Sequence, residues 1–229
     1  MARVTCVANQ KGGVGKTTSA VALAAYLALA GHRTLVADCD SQGNSISVLA
    51  ADGALEEADP GHPVVTGREH LWVMPAADFH ERSRLRQVLE PLHADFDHIV
   101  IDCPPSLQGV ATAAMVASDE LLIPIQSEYY ALEGLGQILA QVSALREDGY
   151  QRPERLRILL CMYDDGLRLC RDVASDVRRH LGDQVMQAMI PRDVALASAP
   201  SHRQTIIEHA PLSPGSLAYC AATKEFLHV

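Results

Sequence analysis

One stretch near the start of the chain decides the fold: Asn9-Gln10-Lys11-Gly12-Gly13-Val14-Gly15-Lys16-Thr17-Thr18. Residues 3–8 before it form a short, mostly apolar run with β-branched side chains, which indicates a buried strand. Residues 17–30 are rich in Ala and Leu and are followed by Gly31, which is typical of a helix with a glycine just past its end. A glycine-rich loop between a strand and a helix N-terminus directs backbone N–H groups and the positive end of the helix dipole at an anion. The stretch therefore predicts a phosphate-binding loop.

The side chains of this loop suit a nucleotide. The general pattern G-x-x-x-x-G-K-[ST] is met at its end by Gly15-Lys16-Thr17, although Gln10 stands where the first glycine is usual. We expect Lys16 to neutralise phosphate charge and Thr17 to ligate Mg²⁺. ATP and Mg²⁺ are the predicted cofactors.

Aspartates follow two further predicted strands. Residues 33–37 are apolar and lead into Asp38 and Asp40, and residues 98–101 are apolar and lead into Asp102. Acidic side chains at the carboxyl ends of strands in an open α/β sheet face the ligand crevice. Asp40 is predicted to hold Mg²⁺ or orient an attacking water, and Asp102 to hold Mg²⁺ in the Walker B manner. Asp38 is expected to support its loop, and an acidic helix cap is the alternative for both residues of the first pair.

The motif at residues 11–18, K-G-G-V-G-K-T-T, resembles the deviant Walker A motif of ParA/MinD-type ATPases. Residues 119–135, 190–194 and 199–202 look like the ParA/Soj branch, so the resemblance spans nearly the whole chain apart from residues 45–70. It implies that Lys11 reaches across an ATP-dependent sandwich homodimer to the partner's phosphates, and that Asp40 supports hydrolysis. The nucleotide contacts it implies are Lys11, Gly12, Gly13, Val14, Gly15, Lys16, Thr17 and Thr18, with Met162 and Pro191 at the adenine unless these two are only core or turn residues.

Alternating strands and helices predict an α/β fold with a doubly wound, mostly parallel sheet flanked by helices. The chain has 229 residues, of which 48% are hydrophobic, and we expect one ParA-like P-loop domain over residues 1–229. Further strands are predicted at 120–125, 156–162 and 185–190, and helices at 132–145, 167–181 and 216–227. The acidic segment 50–67 is predicted to be a surface loop or a short helix. Tyr129-Tyr130 is expected near the dimer face, with strand-to-helix packing as an equal alternative.

The apolar segments and the cysteines indicate where in the cell the protein is located. No apolar run approaches the ~18 residues of a membrane span, no signal peptide is recognised, and residues 223–229 are too short and weakly basic for the surface anchor of the MinD-like branch. The six scattered cysteines lack a C-x-x-C pair, so reduced thiols and a cytoplasmic location are expected. Cys39 and Cys103 lie beside the aspartates. An iron–sulfur cluster, as in the nitrogenase iron protein type, is not expected because no matching motif is present.

The resemblance also implies non-specific DNA binding. The net charge of the chain opposes binding to a polyanion, whereas one segment is more basic than the rest. The net charge is −9, but residues 152–203 carry nine Arg against seven acidic residues. A helix stripe of Arg168, Arg171, Arg178 and Arg179, opposite Leu169, Val173 and Val177, joins Arg192 and Arg203 as the predicted DNA contacts. Ion pairs with Asp172 and Asp176 on the helix surface are the alternative.

The predicted function is an ATPase switch that dimerises on ATP, binds DNA, and hydrolyses ATP when a ParB-like partner stimulates it. The cargo would be a plasmid, a chromosome region or a protein assembly, and the location would be on the nucleoid. Two alternatives stay open, namely a metabolic P-loop ligase that activates a small substrate with ATP, and a nucleotide-gated binding module with negligible hydrolysis.

Overall fold

The computed structural model describes residues 1–54, 59–77, 79, 81–128 and 131–228. In this part of the chain one eight-stranded sheet has the order β3-β4-β2-β5-β1-β6-β7-β8. The strands are β1 Arg3–Val7, β2 Thr34–Asp38, β3 Val64–Val65, β4 Leu71–Pro75, β5 His98–Asp102, β6 Glu120–Gln126, β7 Arg155–Tyr163 and β8 Val185–Pro191. All neighbouring strands pair in parallel except β3 with β4, so the predicted mostly parallel, doubly wound sheet is confirmed.

Helices cover both faces of the sheet. They are α1 Lys16–Leu29, α2 Asn44–Leu49, α3 Arg84–Leu89, α4 Val110–Ala117, α5 Ala131–Glu147, α6 Arg168–Leu181, α7 Val194–Ser198, α8 Ile206–His209 and α9 Pro214–Leu227. One apolar core packs α3, α4, α5 and α6 against the sheet, and a second packs α1, α2 and α9 against the other face. Within the described residues, no helix is both long and apolar enough to cross a membrane.

The register of the central strands brings the predicted site residues together. Asp102, the last residue of β5, lies opposite Val7 at the end of β1 and opposite Asp38 at the end of β2. The connection from β1 leads toward β2 on one side, whereas that from β5 leads to β6 on the other side of β1. Ligands bind at such a switch point, beyond the carboxyl ends of the strands.

The predicted elements occur within about two residues of their predicted bounds, the usual uncertainty of element ends. The exceptions are elements that the sequence did not reveal. β4 was not predicted, and no bounds were predicted for α4. The segment 50–67, predicted as a surface loop or a short helix, contains the two-residue edge strand β3 and no helix in its described part. α2, α3, α7 and α8 have six residues or fewer, too short to show a helical period. Tyr129 and Tyr130 lie outside the described residues, so their expected place at a dimer face stays a prediction.

Candidate nucleotide-binding site

The loop between β1 and α1 has the backbone that its glycines predict. Gly13 and Gly15 have φ angles of 73° and 94°, a region that L-residues with a Cβ rarely adopt. Buried Asn9 anchors the loop, because its amide donates to the Pro124 carbonyl at 2.7 Å and its Oδ1 accepts from the Lys11 N–H at 3.0 Å. The first turn of α1 has no acidic side chain, so its N–H groups face the loop without a competing anion.

The Lys16 ammonium lies inside this loop. The residue is only 7% exposed, and its Nζ donates to the Lys11 carbonyl at 3.0 Å. Burial lowers the pKa of Lys16, and the charges of Asp102 and Asp40 partly oppose that shift. A bound phosphate would give this desolvated ammonium a negatively charged partner.

Asp102 lies beneath the loop and is fully buried. Ser45 Oγ donates to its Oδ2 at 2.7 Å, whereas its Oδ1 has no hydrogen-bond partner among the described residues. Burial raises the pKa of Asp102 to about 7, although hydrogen bonds from Ser45 and Thr17 lower it. A buried carboxylate oxygen without a partner, next to the Thr17 hydroxyl, suits a hard cation such as Mg²⁺. The residues present therefore fit the predicted metal.

The Asp38 and Asp40 carboxylates differ in environment. Buried Asp38 accepts from the N–H groups of Asp40 and Ile46 at 3.1 Å and 3.0 Å, which agrees with the loop-supporting role expected of it. Asp40 is partly exposed, and its Oδ1 accepts from the Gln42 N–H at 3.0 Å. Asp40 can therefore turn a free carboxylate oxygen toward a ligand, whereas Asp38 cannot.

Two adjoining cavities lie at the phosphate loop. A groove of about 680 Å³ is lined by the glycines of the loop, Lys16, Thr17, Asp40 and Pro104. A more apolar cavity of about 290 Å³ adjoins it at Gly15, Thr18 and Met162. Met162 and Pro191, the two predicted adenine contacts, both line this second cavity.

Lys11 lies at the rim of the site. Its Nζ donates to Gln126 Oε1 at 2.9 Å and pairs with Glu128 Oε2 at 3.1 Å. Sequence reasoning missed Gln126, Glu128 and Ser45 as parts of the site. The polar Gln126 at the carboxyl end of an apolar strand was a usable signal, because that edge of the sheet faces the ligand.

The cysteines near the aspartates belong to the core. Cys39 and Cys103 are each 1% exposed, and Cys103 Sγ lies 3.5 Å from Cys6 Sγ. Burial raises the pKa of the Cys6 and Cys39 thiols well above the usual value, so both are protonated at neutral pH. In the part of the chain that the structure describes, no group of three His, Cys, Asp or Glu is placed to hold a metal ion.

The arginines of α6 lie on its exposed side, opposite Cys170, Val173, Ala174 and Val177. Leu169 was expected on the buried face, but it is 49% exposed because its position falls on the solvent side of the helix. Arg168 pairs with Asp172 at 3.4 Å and Arg179 with Asp176 at 3.0 Å, so the alternative of helix-surface ion pairs is present. Exposed pairs of this kind contribute only ~0–1 kcal/mol, which leaves these arginines free to exchange partners.

The other predicted DNA contacts differ among themselves. Arg171 donates to the Asp165 carbonyl, and Arg178 is partly buried against Gln187. Arg192 is exposed beside the apolar cavity. Arg203 holds its own chain together, because its guanidinium donates to the carbonyls of residues 47 and 50 and pairs with Asp52 at 2.5 Å. A phosphate would have to displace those contacts.

The fold and the phosphate loop define a P-loop nucleotide-binding protein, and comparison with known proteins narrows the class. The family model described as the CobQ/CobB/MinD/ParA nucleotide binding domain matches residues 5–206. The chromosome-partitioning ATPase Soj of Thermus thermophilus is 38% identical, with 98% of this chain and 95% of that protein covered. The sporulation initiation inhibitor protein Soj of Bacillus subtilis is 37% identical, with 98% of both chains covered.

Solved structures agree with the sequence comparison. Cobyrinic acid a,c-diamide synthase from Mycobacterium smegmatis, solved with bound ADP and magnesium, superposes with a TM-score of 0.79 at 29% identity and covers 99% of this chain and 94% of its own. The cell division ATPase MinD of Pyrococcus furiosus superposes with the same score at 25% identity, with 99% of both chains covered.

The chain belongs to the CobQ/CobB/MinD/ParA family, and the relatives named above include two Soj proteins. The resemblance found in the sequence is therefore confirmed, and the protein is an ATPase of the ParA/MinD group. The predicted cofactors, ATP and Mg²⁺, agree with the ligands of solved relatives.

Proposed function

We propose that this ATPase is a partitioning switch that forms a homodimer when ATP binds and releases it on hydrolysis. The observation that carries this proposal is the contrast between the two lysines of the loop. Lys16 is buried against the loop backbone, whereas the Lys11 side chain is 45% exposed at the rim. Lys16 therefore serves the nucleotide of its own chain, and Lys11 is available to the phosphates of a second copy.

The residues of the site divide the work of hydrolysis. Lys16 and the N–H groups of the loop stabilise the negative charge of the transferred phosphoryl group, and Asp40 orients the attacking water. Asp102, Thr17 and Asp40 would hold Mg²⁺, which, when bound, neutralises charge on the phosphate oxygens. Met162 and Pro191 would contact the adenine from the apolar cavity. Positioning and charge stabilisation are most of what phosphoryl transfer requires.

Lys11→Ala is expected to abolish ATP-dependent dimerisation while leaving nucleotide affinity of the monomer within about threefold, because the Lys11 ammonium does not enter its own phosphate groove. Sedimentation with a non-hydrolysable ATP analogue measures the dimer, and titration with a fluorescent analogue measures the affinity. Lys224→Ala, at the far end of α9, is the matched control. Unchanged dimerisation in Lys11→Ala would contradict the proposed function.

We further propose that the ATP dimer binds DNA non-specifically through Arg168, Arg171 and Arg179, together with Arg192. Their exposure and the names of the chromosome-partitioning relatives support this part of the proposal. Arg178 would contribute less because it is only partly exposed, and Arg203 because its guanidinium already binds residues 47, 50 and 52. In the cell, the dimer would lie on the nucleoid in the cytoplasm, and a ParB-like partner would trigger hydrolysis.

The triple variant Arg168→Ala/Arg171→Ala/Arg179→Ala is expected to weaken DNA binding at every sequence and to reduce the slope of log K against log salt by about 0.9 for each lost phosphate contact. Fluorescence anisotropy with ATP, with ADP and without nucleotide measures this over a salt series. Arg33→Ala/Arg84→Ala/Arg86→Ala removes the same charge elsewhere and should keep the slope. Equal slopes in both triple variants would reject α6 as the DNA surface.

The ligase alternative rests on the likeness to cobyrinic acid a,c-diamide synthase. It requires a small acceptor substrate, so sustained phosphate release by the purified chain without any such substrate would count against it. The non-hydrolysing alternative predicts that ATP stays intact for hours with every stimulating partner.

A further inference from the structure

The Lys11 ammonium is held on its own chain by two contacts at the carboxyl end of β6. Gln126 Oε1 and Glu128 Oε2 both accept from the Lys11 ammonium, at 2.9 Å and 3.1 Å. The amide of Gln126 also donates through Nε2 to the Gly13 carbonyl at 3.1 Å. Because an ammonium only donates and a carbonyl only accepts, these partners permit one orientation of the Gln126 amide.

We propose that Gln126 and Glu128 form a latch that keeps Lys11 on its own chain and so restrains ATP-dependent dimerisation. This inference rests on the proposed function, in which Lys11 acts on the partner's nucleotide. Lys11 cannot keep both acceptors and at the same time extend to a second copy. Glu128 and Gln126 are thus positioning residues that act through Lys11.

The loop backbone connects this latch to the phosphate groove. Lys16 Nζ donates to the carbonyl of Lys11, the same residue whose side chain the latch holds. A bound phosphate competes for the Lys16 ammonium and removes this contact from residue 11. Gln126 also binds the loop backbone at Gly13. A movement of this backbone when phosphate binds therefore also moves the Gln126 side chain that holds Lys11. Nucleotide binding therefore loosens Lys11 before a second copy arrives.

The latch is weak enough to open. The side chains of Lys11 and Glu128 are 45% and 48% exposed, and water replaces the lost contacts when they separate. For an exposed ion pair, the equilibrium constant favours the paired over the separated state by a factor of about two to five. A symmetric dimer must open two latches, so removing both should strengthen dimerisation by about fourfold to 25-fold, the square of that factor.

Glu128→Gln tests the latch, because it removes the charge and keeps the shape of the side chain. Glu147→Gln is the matched control, since it removes the same charge from the exposed far end of α5. The first measurement is the dimerisation constant with a non-hydrolysable ATP analogue. The second is the rate at which acetic anhydride acetylates Lys11 in the nucleotide-free chain, followed by mass spectrometry with Lys224 as internal reference.

We expect Glu128→Gln to dimerise about fourfold to 25-fold more tightly and to be acetylated at Lys11 about two- to fivefold faster. Glu147→Gln should match the unaltered chain, and Glu128→Asp, which retains the charge, should lie between the two. Unchanged dimerisation and acetylation in Glu128→Gln overturn the latch, and so does weaker dimerisation, which would make Glu128 part of the dimer contact.

The two measurements separate the latch from the proposed function. If no variant dimerises with ATP, the proposed function fails, and the acetylation rate alone decides whether Glu128 restrains Lys11. If the unaltered chain dimerises, and neither the dimerisation constant nor the acetylation rate changes in Glu128→Gln, the proposed function stands and the latch is rejected.

Discussion

Lys16→Ala is expected to lower ATP turnover by about 100-fold or more, the cost of removing a preorganised charge from a phosphoryl-transfer site. The Lys16 ammonium is already desolvated inside the loop, so its interaction with phosphate strengthens as charge develops in the transition state. Alanine leaves the backbone cradle but removes that charge. Steady-state phosphate release measures the turnover, and titration with a fluorescent ATP analogue measures the nucleotide binding that the backbone cradle retains.

The chain supplies its own control for this variant, because it contains a third lysine at position 224. Lys224 is exposed in the last turn of α9 and should tolerate alanine without loss of turnover. A Lys16→Ala variant that hydrolyses ATP within about tenfold of the unaltered chain would contradict the assigned role, since such a loss corresponds to only ~1.4 kcal/mol.

Asp102→Asn is expected to have opposite effects on activity and stability. The carboxylate is fully buried, and one of its oxygens has no hydrogen-bond partner among the described residues. Above its pKa of about 7 this group carries a charge that destabilises the metal-free chain, so in that pH range the neutral amide should raise the free energy of unfolding by ~1–3 kcal/mol. The same change removes the negative oxygen offered to Mg²⁺, and ATP turnover should fall by about 100-fold.

Thermal unfolding without nucleotide or metal measures the gain in stability. In a chain of this size, each kcal/mol of unfolding free energy shifts the melting temperature by about 2–4 °C. Mg²⁺ and ATP together should raise the melting temperature of the unaltered chain more than that of the variant. Asp95→Asn, at an exposed position, should change neither quantity. A metal-free Asp102→Asn chain less stable than the unaltered one would refute a destabilising charge at Asp102.

Local patterns were sufficient to predict the strands and helices that surround the site. The phosphate loop is defined by neighbours in sequence, because a strand, a glycine turn and a helix start within about fifteen residues fix the backbone of an anion site. Asp38 and Asp102 were readable for a related reason: each ends a buried apolar strand, and parallel strands direct their carboxyl ends to one edge of the sheet.

Contacts between distant parts of the chain were not readable in this way. Arg203 looked like a free cation, but the fold places it against residues 47–52, more than 150 positions earlier. Leu169 was assigned to the buried face of α6 because a hydrophobic period locates a stripe only to within a residue. β4 was missed because a strand inside a sheet is defined by its neighbours, here β2 and β3.

The two lysines of the loop show the same difference between what local sequence and what distant contacts determine. The sequence alone determined that Lys16 belongs to a phosphate loop and that Lys11 is an additional lysine at its mouth. Only the tertiary structure decided what holds Lys11, because Gln126 and Glu128 lie 115 and 117 positions away. Sheet topology brings β6 beside β1, and no local propensity encodes that pairing.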